Sequence, residues 1–336
     1  MVTIKDIARE SGYSVSTVSR VLNNRNDVSP DARKKIEEVV AKFNFVPNNN
    51  AKHLKQNNSK AIGVLVKGIS NMLFASVVEE IQRMIEKTEY TLVVSYLDED
   101  ADEVEQAILL CRERKPLGLL FLGGNPEYFH REFSGVDVPC VLVTNRANEM
   151  HFENLSSVAT DDIAAARCAV DQLFVAGHRR IGILGGDFDK SYTSHQRFLG
   201  CEQSFSEHGA VLDVEHCYEK ARFSFGSACR AMKRLIGKFP DVTAVFAMSE
   251  VMAIGAIRAL RDLGYRVPED VSVMGFDDIL FSQAWRPSIT TMAVSKAEFG
   301  KKAFELLYTN IQQGTTGYYL NQLELIQRAS TAPPGR

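Results

Sequence analysis

Long hydrophobic runs are absent from this 336-residue sequence, and so are the patterns of an exported protein. No apolar stretch approaches the ~20 residues that a membrane-spanning helix needs. The chain starts on a polar, amphipathic pattern without the apolar core of a signal peptide. None of its six cysteines forms a Cys-x-x-Cys pair, which favours free thiols in a reducing compartment over disulfides or metal ligation. These features predict a cytoplasmic protein without a membrane partner.

Catalytic and cofactor-binding signatures are also missing. The sequence contains no Gly-x-Gly-x-x-Gly, no Gly-Lys-Ser/Thr phosphate loop, no Gly-x-Ser-x-Gly and no His-Glu-x-x-His. The glycine-rich run at 182–186 lacks the spacing of a pyrophosphate cradle. The seven histidines are scattered without metal-ligand spacing. We therefore expect neither an enzyme nor a bound cofactor or metal.

The charge is distributed unevenly along the chain. The formal net charge is only −3. Residues 1–60, however, hold eleven lysines and arginines against six acidic residues, a net charge of +5, so the remainder carries −8. A basic head on an acidic body suits a protein whose head alone meets a polyanion. Charge by itself is weak evidence, because short basic segments are often only solvated surface.

The first forty-five residues contain the start and stop signals of three short helices. Helical spacing of apolar residues begins at Ile4, and Gly12 stands where a left-handed residue ends such a helix. Ser14 can cap a second helix, Val15–Leu22, whose inward face is Val18, Val21 and Leu22. Ser29 followed by Pro30 begins a third helix, which runs to about Phe43 with Ile36, Val39 and Val40 facing inward. Two short helices joined by a tight glycine turn make a helix-turn-helix.

The outward face of the second helix has the chemistry of a DNA contact. It presents small polar side chains and one arginine, namely Val15, Ser16, Thr17, Ser19 and Arg20. Small side chains let a helix enter the major groove, where hydroxyls can bond to phosphates or base edges. Arg20 can bind a guanine edge through two hydrogen bonds. The alternative is a solvated three-helix bundle with no ligand.

These residues resemble the DNA-binding head of the LacI/GalR family. The resemblance is carried by Thr-Ile-Lys-Asp-Ile-Ala at 3–8 and by Gly-Tyr-Ser-Val-Ser-Thr-Val-Ser-Arg-Val-Leu-Asn at 12–23. It implies that Val15, Ser16 and Arg20 read bases and that Thr17, with its neighbours, holds phosphates. The other DNA contacts expected in the head are Thr3, Ser14, Ser19 and Asn23.

An asparagine-rich segment follows at 47–60. Its polar composition and weak helix propensity are typical of a tether. The family resemblance implies instead a hinge helix that orders on DNA and inserts a leucine into the minor groove. Leu54 matches that leucine, Ala51 is small enough to approach the groove, and Lys52 stands where the family usually has arginine.

From residue 61 onward, short apolar runs alternate with amphipathic segments of helical length. The runs are at 61–66, 91–96, 117–122, 140–144, 181–184, 243–248, 271–276 and 289–294. This alternation predicts parallel sheets built from βαβ units. Eight strands are more than we expect in a single sheet. The first four and the next four divide near Thr160, which predicts two lobes. Such lobes bind ligands beyond the carboxyl ends of their strands.

The same family resemblance continues through the body. Gly-His-Arg-Arg-Ile at 177–181 and Val-Ser-Val-Met-Gly-Phe-Asp-Asp at 271–278 are among its landmarks. The fold that it implies is an all-α helix-turn-helix head joined by a hinge to an α/β body of the periplasmic-binding-protein type, with two flavodoxin-like lobes and three crossings. The implied domains are 1–46, 47–60 and 61–336. The first lobe would hold about 61–160 and a return segment, and the second about 161–290 and the C-terminal return.

The resemblance also supplies effector contacts. It implies that Arg197 donates to ligand oxygens, that Asp277 accepts two neighbouring hydroxyls and that Phe223 stacks on a ring. Four further residues are expected at the ligand, namely Leu73, Phe74, Asn145 and Ser249. Taken alone, Arg197 could form a surface ion pair, Asp277 could cap the segment near Ile279, and Phe223 could belong to the core.

Three departures from the family bear on the ligand. The chain has Ser249-Glu250 where Asn-Asp is common, Asn145-Arg146 where an aspartate often precedes the arginine, and Asn71-Met72 where Asn-Pro is frequent. The site is therefore not a standard hexose pocket. A sugar is the first expectation, and a phosphorylated or nitrogenous metabolite, or no effector, stays open.

The function implied is that of a DNA-binding transcription regulator with a small-molecule effector. A homodimer would place two heads on a palindromic double-stranded operator. Repression is the output that the family favours. The rival functions are catalysis, which lacks motifs, and solute binding for a transporter, which shares the two-lobed body but not the DNA-binding head.

Overall fold

The computed structural model describes residues 4–22, 25, 27–43, 45 and 60–335, and the chain divides into two compact units, Met1–Ser59 and Lys60–Arg336. The predicted boundary between head and hinge at residue 46 falls outside the described residues. So do five of the predicted DNA contacts, namely Thr3, Asn23, Ala51, Lys52 and Leu54.

The first unit contains the three predicted helices, α1 (Ile4–Ser11), α2 (Val15–Leu22) and α3 (Pro30–Lys42). Gly12 has a φ of +75° and donates its N–H to the Ala8 carbonyl, which ends α1 with a residue that has no Cβ to clash. The Ser29 hydroxyl accepts from Ala32 N, as the predicted cap requires. The helices pack around a small core of Ile7, Ala8, Val18, Val21 and Ile36.

The second unit begins with a lobe, called here the first lobe, built on a six-stranded sheet. Its strands are β1 (Ala61–Lys67), β2 (Thr91–Leu97), β3 (Gly118–Leu122), β4 (Cys140–Thr144), β5 (Leu155–Ala159) and β11 (Tyr318–Leu320), in the order β2-β1-β3-β4-β5-β11. All of its strand pairs are parallel. The helices are α4 (Met72–Ile85), α5 (Glu103–Arg114), α6 (Pro126–Glu132) and α13 (Lys296–Gln313).

The second lobe repeats this arrangement. Its sheet has the order β7-β6-β8-β9-β10-β12. The strands are β6 (Ile181–Gly185), β7 (Tyr218–Lys220), β8 (Ala244–Ala247), β9 (Ser272–Asp277), β10 (Thr290–Val294) and β12 (Leu323–Ile326), of which β12 runs antiparallel to β10. Its helices are α7 (Asp162–Val175), α8 (Tyr192–Glu207), α9 (Val214–Cys217), α10 (Phe225–Lys238), α11 (Glu250–Asp262) and α12 (Phe281–Ala284).

The chain passes between the lobes three times. The first crossing follows β5, the second joins β10 to α13, and the third joins β11 to β12. α13 returns to the first lobe and packs against α4. The implied two-lobed fold with three crossings is thus confirmed, and both lobes show the flavodoxin-like order, in which the strand sequence reverses beside the first strand.

All eight predicted strands are present, and four further strands were not predicted. β5 carries two buried serines in its centre, which breaks the apolar pattern. Ser156 Oγ accepts from Gly317 N and Ser157 Oγ accepts from Ala147 N, both at 3.1 Å, so that burial of these hydroxyls is compensated. β7, β11 and β12 are only three or four residues long, too short for an alternating pattern to show.

The cysteines and the helices agree with the absences noted in the sequence. None of the six cysteines forms a disulfide, and Cys140 and Cys201 are fully buried. Within the described residues, no helix is both long enough and apolar enough to traverse a bilayer.

Candidate functional site

The outer face of α2 carries a compact hydroxyl network at its N-terminal end. Ser14 Oγ accepts from Thr17 N at 3.2 Å, and it lies 2.7 Å from Ser16 Oγ and 2.9 Å from Thr17 Oγ1. Val15, Ser16 and Arg20 are exposed, whereas Thr17 and Ser19 are half-buried. The capped end therefore presents small polar groups and one apolar side chain to solvent, as a groove-entering helix requires.

Arg20 is available for an outside partner. Its guanidinium Nε lies 3.7 Å from Asp27 Oδ2, and both side chains are more than half exposed. An exposed ion pair at this distance contributes little, ~0–1 kcal/mol. Arg20 would therefore lose little free energy if it left Asp27 to bind a guanine edge or a phosphate.

The second unit has a cavity between its two lobes, called here the cleft cavity, of about 100 Å³ and open to solvent. It lies where β1, β3 and β4 of the first lobe and β9 of the second reach their carboxyl ends, as the sheet topology predicts. Five of the seven predicted effector contacts line it, namely Leu73, Phe74, Arg197, Phe223 and Asp277.

Arg197 lies at the base of the cleft cavity in a buried charge cluster. Its Nε donates to Asp162 Oδ1 at 2.8 Å, and its Nη1 donates to the Met248 carbonyl. The guanidinium carbon lies 3.6 Å from the centroid of the Phe276 ring. Arg197 is only 5% exposed, so the alternative of a surface ion pair is wrong.

Asp277 brings an unsatisfied acceptor to the same place. Its Oδ1 lies 3.8 Å from Arg197 Nη2, too far for a hydrogen bond, and has no hydrogen-bond partner among the described residues. Burial raises the pKa of this carboxyl to about 7, although the nearby Arg197 opposes the shift. A buried acceptor without a donor is costly, and a ligand hydroxyl would remove that cost. Asp277 does not cap a helix, because the following helix begins only at Phe281.

Strained backbone marks both sides of the cavity. Thr144 ends β4 with a φ of +87°, and Asp277 ends β9 with a φ of +102°. β4 and β9 are the equivalent strands of the two lobes. Each such residue costs ~1–3 kcal/mol, and strain of this kind is common in ligand-binding sites.

Apolar side chains line the cavity beside these charges. Leu73 and Phe74 come from the first turn of α4, whose cap is the side chain of Asn71 accepting from Leu73 N at 3.1 Å. Phe223 comes from the loop after β7 in the other lobe, and its N–H donates to Glu99 Oε2 at 3.3 Å. The cavity can therefore hold a ligand that has apolar faces and a hydroxylated edge.

A second buried ion pair lies in the first lobe. Lys67 Nζ donates to Glu103 Oε2 at 2.5 Å and lies 4.7 Å from the centroid of the Tyr128 ring. Burial raises the pKa of Glu103, although Lys67 opposes the shift. Because its charge is balanced by Glu103, Lys67 does not make the cavity strongly positive.

The side chains of two predicted effector residues point elsewhere. Asn145 Nδ2 donates to the Gly124 carbonyl, and its Oδ1 accepts from Thr193 Oγ1 at 3.0 Å, so Asn145 joins the lobes beside the cavity. Ser249 caps α11 by accepting from Met252 N and is 1% exposed. Neither residue lines the cleft cavity. Their existing hydrogen bonds account for the difference, and a direct ligand contact for them stays a prediction.

Sequence reasoning missed several lining residues. These are Lys67, Glu99, Asn125, Thr144, Lys190, Ser191, Tyr192 and Thr193, together with glycines at 68, 123 and 124. A signal for some of them was present, because Lys67 and Thr144 end their strands and Asn125 follows β3 by three residues. Extending each predicted strand to its carboxyl end would have found them. The segment 190–193 spans the start of α8 and carries no comparable pattern.

Behind the cavity, Glu250 occupies a buried position on α11. Its Oε2 accepts from Asp278 N and from Thr291 Oγ1, each at 2.9 Å, while Oε1 has no hydrogen-bond partner within the described parts of the chain. Burial, with a smaller contribution from the neighbouring Asp277, raises the pKa of this carboxyl to about 8.

The chain is similar to known regulatory proteins along nearly its whole length. Residues 3–48 match the family model of bacterial regulatory proteins of the lacI family, and residues 170–331 match a periplasmic binding protein-like domain. The chain is 37% identical to the HTH-type transcriptional regulator MalR of Clostridium butyricum over 97% of this chain and 98% of that protein. It is 32% identical to the ribose operon repressor of Haemophilus influenzae, with 96% of both chains covered.

Solved structures share the whole architecture. The transcriptional regulator CelR in complex with cellobiose is 26% identical, with a TM-score of 0.70 over 98% of this chain and 100% of that one. The Lac repressor dimer bound to operator is 23% identical, with a TM-score of 0.74 over 98% of this chain and 99% of that one. The second likeness supports the fold alone.

Proposed function

The chain belongs to the LacI family of bacterial regulatory proteins, and on that basis we propose that it binds a palindromic operator as a homodimer under the control of a hydroxyl-rich ligand in the cleft cavity. It is a sequence-specific DNA-binding transcription regulator, and its family relatives include repressors. The observation that carries the ligand proposal is the buried, unpartnered Oδ1 of Asp277 beside Arg197. We further propose that the protein acts in the cytoplasm.

On DNA, α2 is the recognition helix. Its exposed Val15, Ser16 and Arg20 would meet base edges, while Ser14, Thr17 and Ser19 would hold phosphates at its N-terminal end. One head contacts too few base pairs for useful specificity, and two heads on a palindrome double the number of base pairs contacted. Leu54 would act as the minor-groove wedge between the heads, with Ala51 and Lys52 beside it.

Arg20→Ala is expected to weaken operator binding by about 1–3 kcal/mol and to relax specificity at one base pair of each half-site. The physical reason is loss of a two-hydrogen-bond contact to guanine. Binding of a set of single-substitution operators by wild type and variant measures it. Arg9→Ala, which removes an exposed arginine of α1, is the control. A uniform loss across all sequences would instead make Arg20 a phosphate contact.

The cleft chemistry favours a neutral, hydroxylated ligand over an anion. Two of the lining cations are already engaged, Lys67 by Glu103 and Arg197 by Asp162 and the Met248 carbonyl, which lowers their attraction for a phosphate. Hydroxyls, in contrast, can donate to Asp277. The names of a ribose operon repressor and a cellobiose complex among the similar proteins agree with a sugar.

Ligand and DNA would be linked through the lobes. Arg197 and Asp277 belong to the second lobe and Phe74 to the first, so a ligand that contacts all three changes the angle between the lobes. The three crossings are the hinges of that motion. A change at the hinges would alter the spacing of the heads, and a coupling of ~1–3 kcal/mol would change operator affinity by ~5–150-fold.

Selection of bound duplexes from a random DNA library, with and without a panel of ribose, glucose, maltose, cellobiose and a sugar phosphate, tests the proposal. We expect a palindromic site with a pyrimidine–purine step at its centre, since that step kinks most easily. We also expect one neutral sugar to change the yield. Enrichment of no sequence by folded protein would contradict the DNA assignment, and a response to the sugar phosphate alone would contradict the ligand assignment.

A further inference from the structure

A cluster of charges joins the two lobes beside the cleft cavity. Arg222, in the loop after β7 of the second lobe, faces three consecutive acidic residues that follow β2 of the first lobe, called here the acidic run, namely Asp98, Glu99 and Asp100. Arg222 Nε donates to Glu99 Oε1 at 2.7 Å, and its Nη2 donates to Asp98 Oδ1 and lies 3.6 Å from Asp100 Oδ2. The Phe223 N–H donates to Glu99 Oε2 at 3.3 Å. One guanidinium and one backbone amide of the second lobe thus bind the acidic run.

The sheet topology places this contact far from the three crossings. β2 is the outermost strand of the first sheet and β7 the outermost strand of the second, whereas the crossings follow β5, β10 and β11 toward the opposite edges. β2 lies four strand positions from β5, which is roughly 19 Å at the usual spacing of ~4.8 Å. A rotation of one lobe about the crossings therefore separates the β2 and β7 edges more than it separates the edges beside the crossings.

Two neutral hydrogen bonds also connect the lobes, and they lie nearer to the crossings. Asn125, which follows β3, donates from Nδ2 to the Lys190 carbonyl at 3.3 Å. Thr193 Oγ1, in α8, donates at 3.0 Å to Oδ1 of Asn145, which follows β4. Salt screens the attraction between exposed charges, and the screening length falls from ~10 Å at 0.1 M to ~3 Å at 1 M. Neutral hydrogen bonds escape most of this effect, so salt should weaken the contact between the β2 and β7 edges selectively.

We propose that Arg222 and the acidic run form an ionic clasp, which holds the two lobes together at the edge farthest from the crossings and makes opening of the cleft at this edge depend on ionic strength. Glu99 and Phe223 line the cleft cavity, so opening of the clasp would widen the entrance for a ligand. Arg222 and the acidic run have this role whatever the ligand is, and whether or not the heads are bound to DNA.

Hydrogen exchange of the full chain, followed by residue-resolved mass spectrometry, tests the clasp, because the acceptor that protects the Phe223 amide belongs to the other lobe. At ~0.1 M NaCl, Arg222→Gln should speed exchange of this amide at least about threefold, as the loss of several exposed ion pairs implies. Raising NaCl to ~1 M should speed its exchange about as much in the wild type and leave the variant nearly unchanged. The Ala221 amide, which donates to the Gly185 carbonyl at 2.8 Å within the second lobe, should not share in these changes.

A variant of the first lobe tests the clasp from the other side. Asp98→Asn combined with Asp100→Asn removes two charges of the acidic run and keeps Glu99, the acceptor of the Phe223 amide. It should also speed exchange of that amide, although the substitutions lie in the opposite lobe. Adding Arg222→Gln to this variant should add little, because both sets of substitutions remove the same interaction.

Arg258→Gln is the matched control, because Arg258 is an exposed arginine that pairs at 2.7 Å with Asp262 on its own helix, α11. It should leave the Phe223 amide at the wild-type rate. Exchange at Phe223 that responds neither to salt nor to Arg222→Gln would overturn the clasp. Faster exchange in Arg222→Gln without faster exchange in the first-lobe variant would overturn it as a local change in the loop after β7, and equal acceleration of the Ala221 amide would overturn it as loosening of the second lobe. Neither operator nor sugar takes part in these measurements, so these outcomes leave the proposed function standing.

Discussion

Arg197→Met is expected to lower the free energy of unfolding at pH 8 by about 3–5 kcal/mol and to abolish ligand binding in the cleft. The substitution keeps the length and apolar character of the side chain but removes the charge that faces Asp162 and Asp277. Both carboxyls are buried, and Arg197 is the cation that the structure places beside each of them. Breaking a buried ion pair from one side is costly because the remaining charge stays in a medium of low polarity. Urea denaturation at pH 8 measures the loss of stability.

A matched variant separates charge from packing. Arg197→Met combined with Asp162→Asn and Asp277→Asn removes all three charges at nearly constant volume. It should recover most of the lost stability, because replacing a whole buried ionic cluster is often neutral. Ligand binding should remain lost, since the Arg197 guanidinium and the Asp277 carboxylate are both gone. An Arg197→Met protein with wild-type stability at pH 8 would show that the cluster is not held as the structure indicates.

The free energy of unfolding of the wild type is expected to fall as the pH rises from about 5 to 8. In the folded chain, Glu250 and Asp277 keep their protons up to pKa values of about 8 and about 7, whereas their ordinary values are 4.5 and 3.8. Between those values the folded state binds more protons than the unfolded state, so raising the pH favours unfolding. Each group contributes a slope of at most about 1.4 kcal/mol per pH unit. Chemical denaturation at a series of pH values measures the slope.

Glu250→Gln removes one of the two groups. The glutamine is neutral at every pH and keeps an oxygen for Asp278 N and Thr291 Oγ1. We expect a shallower slope and a gain over the wild type at pH 8 of about 4 kcal/mol, as a pKa raised from 4.5 to about 8 implies. Glu113→Gln, an exposed position on α5, should reproduce the wild-type profile. A Glu250→Gln profile that also matches the wild type would mean that Glu250 titrates as an ordinary carboxyl.

Local patterns predicted the elements well because each depends on neighbours along the chain. Gly12, Ser14 and the Ser29-Pro30 pair set the helix ends of the head through backbone conformation and capping, which act within a few residues. Eight strands were visible as apolar runs between helical segments. β5 escaped notice because its buried serines are satisfied by Gly317 and Ala147, a compensation that involves a distant part of the chain.

The cleft depended on contacts that no local pattern carries. Five of its predicted residues do line the cavity, but they were expected from the family resemblance and not from spacing. Asn145 and Ser249 carried the same expectation, and they lie outside the lining because Thr193 and Met252 already bind their side chains. Whether a side chain faces a ligand or a neighbouring element is decided by the partners that folding brings to it.

The sequence by itself determined the three-helix head, the alternation of strands and helices and the division into two lobes, since periodicity and capping are local properties. Only the tertiary structure decided that Arg197 would be buried between Asp162 and Asp277, and that Glu99 and Arg222 would meet across the cleft. These groups lie 35 to 123 positions apart along the chain or come from different lobes. Their approach follows from the order of strands in two sheets and from three crossings, and such long-range pairing leaves no signature in a short stretch of residues.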